Sequence, residues 1–137
     1  HLDRLQPVRD SFYQGDLETA RTVLLKHQKH RGDRDVLLLD QAMLELASGR
    51  PKDAERLLRE VRDRFDYLEQ KSLVEDAASL AADDTLRSYA GEDYERILIR
   101  VMLALSNLMA DGGDASAYAL QITEKQEEIA ARLADSK

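Results

Sequence analysis

The sequence predicts an all-α fold built from antiparallel helical hairpins, and three observations support this class. The chain contains only two prolines and six glycines, and few β-branched residues run together, a composition that favours helix over strand. Positions 34 residues apart in the first half match in type, which is the length of a helix–turn–helix repeat. The stretch Tyr94–Met109 carries an apolar run interrupted only by Arg100, typical of a helix covered by neighbours on most faces.

Length and charge limit the classes of function. A chain of 137 residues fits a single domain over 1–137 and is long enough to bury a core. Without cysteine, it forms no disulfide and no thiolate metal site. Residues 1–66 carry 13 basic and 13 acidic side chains, whereas residues 67–137 carry 7 and 14. An acidic half repels nucleic acid and anionic membrane, so neither is an expected partner, and no segment is long and apolar enough to predict a membrane span.

Residues 1–66 predict two successive hairpins. Gly15 and Gly49 stand where a helix has to stop, since glycine accepts the left-handed conformation of a helix end. Ala20 and Ala54 are small where two antiparallel helices come closest. The predicted helices run to about Gln14, from Asp16 to about Arg31, from Arg34 to Ala47 and from Pro51 to about Phe65. The matched pairs are Leu5 and Leu39, Phe12 and Leu46, Gly15 and Gly49, Ala20 and Ala54, Val23 and Leu57, and Leu24 and Leu58.

Residues 67–91 predict an insertion with a short helix. Ser72 followed by Glu75 has the spacing of a capping box, which predicts a helix from there to about Ala82. A loop is expected over 83–91. This segment interrupts the 34-residue pattern, so it separates the two repeats from the last part of the chain.

Residues 92–137 predict a divergent third hairpin. Acidic residues at its start predict the beginning of a helix, because negative charge is favourable at a helix N-terminus. This helix would be the central one around which the others pack. Gly112 then breaks the chain, and a last helix is expected from Asp114 to about Leu133. Gly112 and Ala117 are five residues apart, as are the glycine and the alanine of the first hairpin. This shared spacing indicates that the last two helices form a hairpin related to the first.

The segments GDLETARTVLL (15–25) and GRPKDAERLLREV (49–61) resemble the second helices of tetratricopeptide repeats. This resemblance implies a short αα superhelix, with two tetratricopeptide-like repeats followed by the divergent pair. It also implies a non-catalytic scaffold that binds a protein or a peptide. Three positions depart from the family pattern: Gln41 and Glu45 replace large apolar residues, and His27 replaces a small one.

The segment 88–119 is similar to an uncharacterised bacterial family with tetratricopeptide-like repeats, often predicted to be envelope lipoproteins. The similarity lies in a pattern of two tyrosines, a glycine and two glutamates: Tyr89, Gly91, Glu92, Tyr94 and Glu95. It implies a setting rather than an activity. We expect the cell envelope or periplasm if a leader precedes His1, and the cytoplasm otherwise.

A concave groove is the first candidate binding site. In tetratricopeptide-like arrays the first helix of each pair lines the concave face, which suits an extended peptide or a partner helix. The groove residues implied by the resemblance are Arg9, Phe12, Tyr13, Leu39, Met43 and Leu46. Leu39, Met43 and Leu46 lie on one helical stripe. Alternatively, this stripe belongs to the core, or the chain's own central or last helix fills the groove.

The segment from Tyr89 to Glu95 is the second candidate binding site. Tyr89, Glu92, Tyr94 and Glu95 would form a polar pocket beside Arg96 at the start of the central helix. Alternatively, the tyrosines pack the loop onto the core and the carboxylates serve the helix start.

The sequence predicts no catalytic residue, no cofactor and no metal. His27 and His30 share one helix face near Asp33, but a basic helix end explains them as charge complement. No nucleophile elbow and no phosphate-binding loop occur. The expected function is therefore binding of a protein or peptide. The alternative is a self-associating structural module of a bacterial envelope protein, in which a second copy covers the central helix or the groove.

Overall fold

The structure, a computed structural model, describes residues 5–27, 34–78 and 91–135. No strand occurs in these three ranges, and the all-α prediction is confirmed. The helices are α1 (Gln6–Tyr13), α2 (Leu17–His27), α3 (Arg34–Ala47), α4 (Pro51–Ala78), α5 (Asp93–Ala110) and α6 (Ala115–Asp135). Helices that follow one another in the chain pack against each other. Within the described ranges no helix has both the length and the apolar character needed to cross a membrane.

The first two hairpins turn through the same backbone motif. Gly15 and Gly49 have φ angles of 79° and 71°, in the left-handed region that glycine adopts without a Cβ clash. The N–H of Gly15 donates to the carbonyl of Phe12 at 3.0 Å, and that of Asp16 donates to Ser11 at 2.9 Å. These two bonds form a Schellman ending. Gly49 and the residue after it make the same two bonds to the last turn of α3.

The 34-residue period is also visible in burial. Ala20 and Ala54 are both completely buried, and Leu24 and Leu58 are both at most 2% exposed. The alanines let two antiparallel helices approach closely, and the leucines fill the space one turn further on. Equivalent positions therefore occupy equivalent environments in the two hairpins. The end predicted for the second helix near Arg31 lies outside the described residues.

Helix α3 joins the two hairpins because both of its sides are buried. One core forms with α1 and α2 and contains Leu37 and Leu44 of α3. The other core forms with α4, α5 and α6 and contains Leu38, Ala42 and Leu46 of α3. Helix α3 thus contributes to both cores, whereas the later apolar run contributes to only one of them. The prediction that the whole chain is arranged around that run is therefore wrong.

Helix α4 is longer than the sequence predicts. It spans the 28 residues Pro51–Ala78, so the end expected near Phe65 and the new helix expected at Ser72 are both wrong. Phe65 is buried in the second core, and Glu69 one turn later is still buried. Because α4 keeps buried contacts beyond Phe65, the helix continues. The loop expected over 83–91 lies outside the described residues except for its last position.

The third hairpin departs from the first two at its turn. Gly112 has a φ angle of 74°, and its N–H donates to the carbonyl of Asn107 at 2.8 Å. Ala117 is exposed, however, whereas its supposed equivalents in the first two hairpins are completely buried. The prediction that the glycine–alanine offset repeats structurally is therefore wrong. Tyr118, the next residue, is the one that packs into the second core.

Gly91 precedes α5 and lies directly against the ring of Phe65. Its φ angle is 76°, and a Cβ at this position would lie 2.5 Å from Cε2 of Phe65. Such a distance is far below van der Waals contact, and Phe65 is itself buried in the core. The glycine thus allows the chain to enter the third hairpin across a core side chain.

Candidate functional site

Helix α5 directs polar side chains toward the protein interior. Arg96 and Arg100 are 8% and 6% exposed, and their spacing of four places them on one side of the helix. Nη2 of Arg100 donates to both carboxylate oxygens of Asp66 on α4, at 2.9 and 2.7 Å. Charge-assisted bonds of this kind are stronger than neutral ones. The interior thus holds this side of α5 through ion pairs.

Glu69 of α4 is the centre of an ion-pair network that joins three helices. Its carboxylate accepts hydrogen bonds from Arg96 of α5 at 2.7 Å and from Lys125 and Arg132 of α6 at 3.0 and 2.8 Å. Burial disfavours the charged form of Lys125, but hydrogen bonds to Glu128 and Glu69 outweigh this effect and raise the pKa of Lys125. The ammonium group therefore stays charged where it meets the carboxylates.

A second buried network lies near the other end of α5. Glu55 of α4 accepts hydrogen bonds from the Tyr118 hydroxyl at 2.7 Å and the Asn107 amide at 3.3 Å, and also from Arg59. Burial alone would raise the pKa of the Glu55 carboxyl, but these three hydrogen bonds hold it below its usual value. Asn107 in turn accepts a bond from the backbone N–H of Asp114 at 2.9 Å, which links α4 to the turn between α5 and α6.

The opposite side of α5 is apolar and exposed. We call it the α5 stripe, and its six side chains are 40% to 66% exposed: Tyr94, Leu98, Val101, Leu105, Leu108 and Met109. Between Ile97 and Ala110 every exposed side chain of α5 is apolar. From Tyr94 to Leu108 the members are separated by four, three, four and three residues. This spacing keeps them on one side of a helix.

The prediction that Tyr94–Met109 is covered on most faces is therefore wrong. Among its large apolar side chains only Ile99 and Leu103 are buried. The arginine side faces α4 because Asp66 and Glu69 bind it there, and this orientation turns the apolar side outward. A single helix cannot bury all of its sides against two neighbours.

The first two hairpins bury one carboxylate in a comparable way. Glu45 of α3 is 1% exposed and pairs with Arg21 of α2 at 2.9 Å and with Arg50. Burial disfavours its charged form, but the hydrogen bond from Arg50 and the charge of Arg21 lower its pKa. These pairs explain how a charged glutamate is accommodated in the interior of the first two hairpins.

The predicted groove residues lie in three different environments. Three of them are exposed: Arg9, Tyr13 and Met43. Phe12 and Leu39 are partly buried, and each packs against one of the two cores. Phe12 also meets the ring of Tyr13 edge-on, with the ring centroids 5.8 Å apart. Leu46 is only 8% exposed and belongs to the second core, so its assignment to an open groove is wrong.

The predicted loop site separates into a helix cap and an exposed ring. The N–H of Glu92 donates to the carboxylate of Glu95 at 2.7 Å, as part of a capping box at the start of α5. These glutamates therefore serve the helix start, which was the alternative interpretation. Tyr94 is 66% exposed and belongs to the α5 stripe, whereas Tyr89 lies outside the described residues.

A polar cleft of about 220 Å³ lies between α4, α5 and α6. Asp66 and Glu69 line it together with Arg100 and Lys125. These four side chains pair with one another, and Glu124 and Glu128 also line the cleft.

Of the two histidines considered for a metal site, His27 lies within the described residues. Nδ1 of His27 lies 2.8 Å from the carbonyl oxygen of Val23, one helical turn earlier. His30 and Asp33 lie outside the described residues. In the three described ranges, no group of three or more His, Cys, Asp or Glu side chains is placed to hold a metal ion.

Comparisons of the chain with protein-family models, curated proteins and solved structures find no match. The α5 stripe is the feature that the sequence interpretation missed. Its alternating spacing is visible in the sequence, as are Arg96 and Arg100 on the neighbouring side of the helix. What the sequence does not show is that Asp66 and Glu69 bind those arginines, and this contact decides which side faces solvent.

Proposed function

We propose that the chain is a non-catalytic protein-binding module that docks an apolar helix of its partner on the α5 stripe. The exposure of six apolar side chains along one helix is the observation that carries the proposal. Contiguous apolar patches on a protein surface commonly mark interaction sites. A partner helix recognises such a stripe through anchors spaced by three and four residues.

The ion pairs behind the stripe support this role. Arg96, Arg100 and Asn107 are held by partners on α4, so their bonds fix the rotation of α5 about its axis. A binding face that is already formed and oriented loses little conformational entropy when a partner docks. The polar interior thus has a function in binding, since it keeps the apolar side available.

The first two hairpins would provide the scaffold. We propose that they are tetratricopeptide-like repeats, and the support is their shared Schellman turns and equivalent burial. Two residues of the predicted groove, Tyr13 and Met43, are 84% and 44% exposed. We therefore retain the groove as a proposed second contact surface. A peptide in that groove and a helix on α5 would occupy different parts of the chain.

The buried carboxylates support a role without catalysis. A general acid at neutral pH needs a raised pKa. Burial raises the pKa of Asp40, whereas the pKa values of the more deeply buried Glu45 and Glu55 are both lowered by their hydrogen-bond partners. Glu69 lies among three cationic side chains. Glu45, Glu55 and Glu69 each have a structural role that accounts for their position.

Site-specific photocross-linking tests the proposed function. A benzoylphenylalanine at Leu105 in the stripe is compared with one at Leu25 of α2, since these leucines are 44% and 42% exposed. Adducts formed in expressing cells are identified by mass spectrometry, and the affinity of the captured protein is then measured with purified chain. We expect an adduct at Leu105 only, and an affinity that Leu105→Glu lowers about tenfold or more.

The matched variant Leu25→Glu should leave that affinity within about twofold. The proposal fails if no adduct forms at Leu105, or if the captured protein binds the Leu105→Glu variant as tightly as the original chain. Circular dichroism of both variants checks that their helices are intact.

A further inference from the structure

The area of the α5 stripe matches what a small dimer interface needs. Side chains of this size bury about 150–250 Å² when aromatic and somewhat less when aliphatic. With 40% to 66% of each of six side chains exposed, the stripe presents on the order of 500 Å² of apolar surface, near the upper end for a monomer. Two stripes facing each other would bury on the order of 1,000 Å², the lower limit of a specific interface.

The spacing of the stripe is complementary to itself. Tyr94, Leu98, Val101, Leu105 and Leu108 alternate at intervals of four and three residues. Two helices with this spacing pack knobs into holes along a common seam. A two-fold axis brings the same surface from both subunits into contact, so α5 of each copy supplies one half of the seam.

The charge distribution along most of the stripe is compatible with an identical partner at this surface. The chain carries a net charge of −7, so two copies repel each other over most orientations. Between Ile97 and Ala110 the exposed side of α5 contributes no charged side chain. Arg100, the one charged residue in that stretch, points inward and is paired with Asp66. Pairing through the stripe thus brings no like charges of this helix segment together.

We propose that the partner on the α5 stripe is a second copy of the chain, which buries its own stripe against the first across a two-fold axis. This inference rests on the proposed binding role of the stripe and names the occupant. The leucine side chains at Leu98 and Leu105 would lie near the middle of the seam and carry most of the contact. The first two hairpins of each copy would remain outside it.

Sedimentation equilibrium of the purified chain tests the inference. Over about 1–200 μM we expect the apparent mass to rise from the chain mass of 15.5 kDa to twice that value, with a dissociation constant on the order of 10 μM. Leu105→Glu should raise this constant about tenfold or more. Leu25→Glu, which changes an equally exposed leucine on α2, should change it less than about twofold.

A charge-reversal mixture distinguishes self-pairing from a general loss of folding. At about 10 μM, Leu105→Glu and Leu105→Lys should each be largely monomeric alone, and an equimolar mixture should recover mass as a heterodimer, because opposite charges attract each other across the seam. The inference is overturned if the original chain stays at 15.5 kDa throughout, or if Leu105→Glu leaves the dimer intact. A monomer that still binds a different captured protein through Leu105 would refute the second copy while sparing the proposed binding role.

Discussion

The first two hairpins bury mostly apolar side chains where their helices meet, whereas the third also buries several charged and polar ones. In the first two, completely buried alanines and leucines occupy the contacts. In the third, α5 turns Arg96, Arg100 and Asn107 inward and leaves six apolar side chains exposed. Both arrangements use helices joined by left-handed glycine turns. The comparison shows that hairpin geometry does not determine which side of a helix is buried. The partners available on neighbouring helices determine it.

The two regions also differ in how much water reaches their buried ion pairs. In the first region, Arg21 and Arg50 pair with Glu45, and their side chains are 36% and 32% exposed. The side chains of Arg96 and Lys125 around Glu69 are only 10% and 8% exposed. Water can therefore solvate the cations of the first region if their carboxylate is removed, but hardly those of the second.

Replacing Glu69 by alanine is expected to have the largest effect on stability. It leaves Arg96 and Lys125 buried with Asp93 and Glu128 as their remaining close partners, and removing the central carboxylate of a buried network costs up to about 3–5 kcal/mol of unfolding free energy. Glu45→Ala should cost about 1–3 kcal/mol, since its arginines become solvated. Urea unfolding followed by circular dichroism at neutral pH gives both values.

An exposed ion pair serves as the control for this comparison. Glu60 pairs with Arg34 on the surface, where both side chains are more than 40% exposed, and Glu60→Ala should change stability by about 0–1 kcal/mol. If Glu45→Ala destabilises the chain as much as Glu69→Ala, the proposed difference between the two regions is wrong.

The sequence predicts those parts of the fold that depend on local chemistry. Gly15 and Gly49 specify helix ends through their own backbone freedom, and Pro51 begins a helix because its missing N–H is not needed there. The extent of α4 beyond Phe65 could not be predicted in this way. It depends on Glu69 meeting cations from two helices that come much later in the chain.

The candidate site shows the same limit more sharply. The amino-acid pattern of α5 contains two usable sides, one with Leu98 and Leu105 and one with Ile99 and Leu103. Periodicity alone ranks them about equally. The choice is made by Arg96, which lies on the second side and finds its carboxylate 27 residues earlier in the chain. A search for carboxylates able to pair with Arg96 would have been the useful signal.

Gly91→Ala is expected to have the second largest effect, and it sharpens the comparison at the entry to the third hairpin. The new Cβ would lie 2.5 Å from the ring of Phe65, so a steric cost of about 1–3 kcal/mol adds to about 1–2 kcal/mol for the left-handed backbone. Gly49→Ala is the matched control, since its φ angle is similar and no atom lies within 4 Å of the new Cβ. Gly49→Ala should therefore lose only the unfolding free energy that the left-handed backbone costs.

Thermal and urea unfolding of both variants measure the difference. A Gly91→Ala variant as stable as Gly49→Ala would show that Phe65 moves aside without loss. In that case, the close contact at the start of the third hairpin does not restrict that position to glycine.

The smallest expected effect is the dependence of stability on pH. The pKa values of Glu45 and Glu55 are lowered in the folded chain because hydrogen bonds outweigh burial. Their stabilisation is present above the unfolded value of about 4.3 and is lost as pH falls through the folded values, because the unfolded chain then binds more protons. Burial raises the pKa of Asp40, which acts in the opposite sense and reduces the net slope.

Urea unfolding between about pH 6 and 3 separates these contributions. Glu55→Gln should flatten the fall in unfolding free energy, because a neutral amide takes up no proton. Tyr118→Phe should flatten it partly, since it removes the hydroxyl that donates to Glu55 at 2.7 Å. An unchanged slope in Glu55→Gln would mean that this carboxylate has the same proton affinity folded and unfolded. The polar contacts of the third hairpin would then orient its helices without favouring the charged state of Glu55.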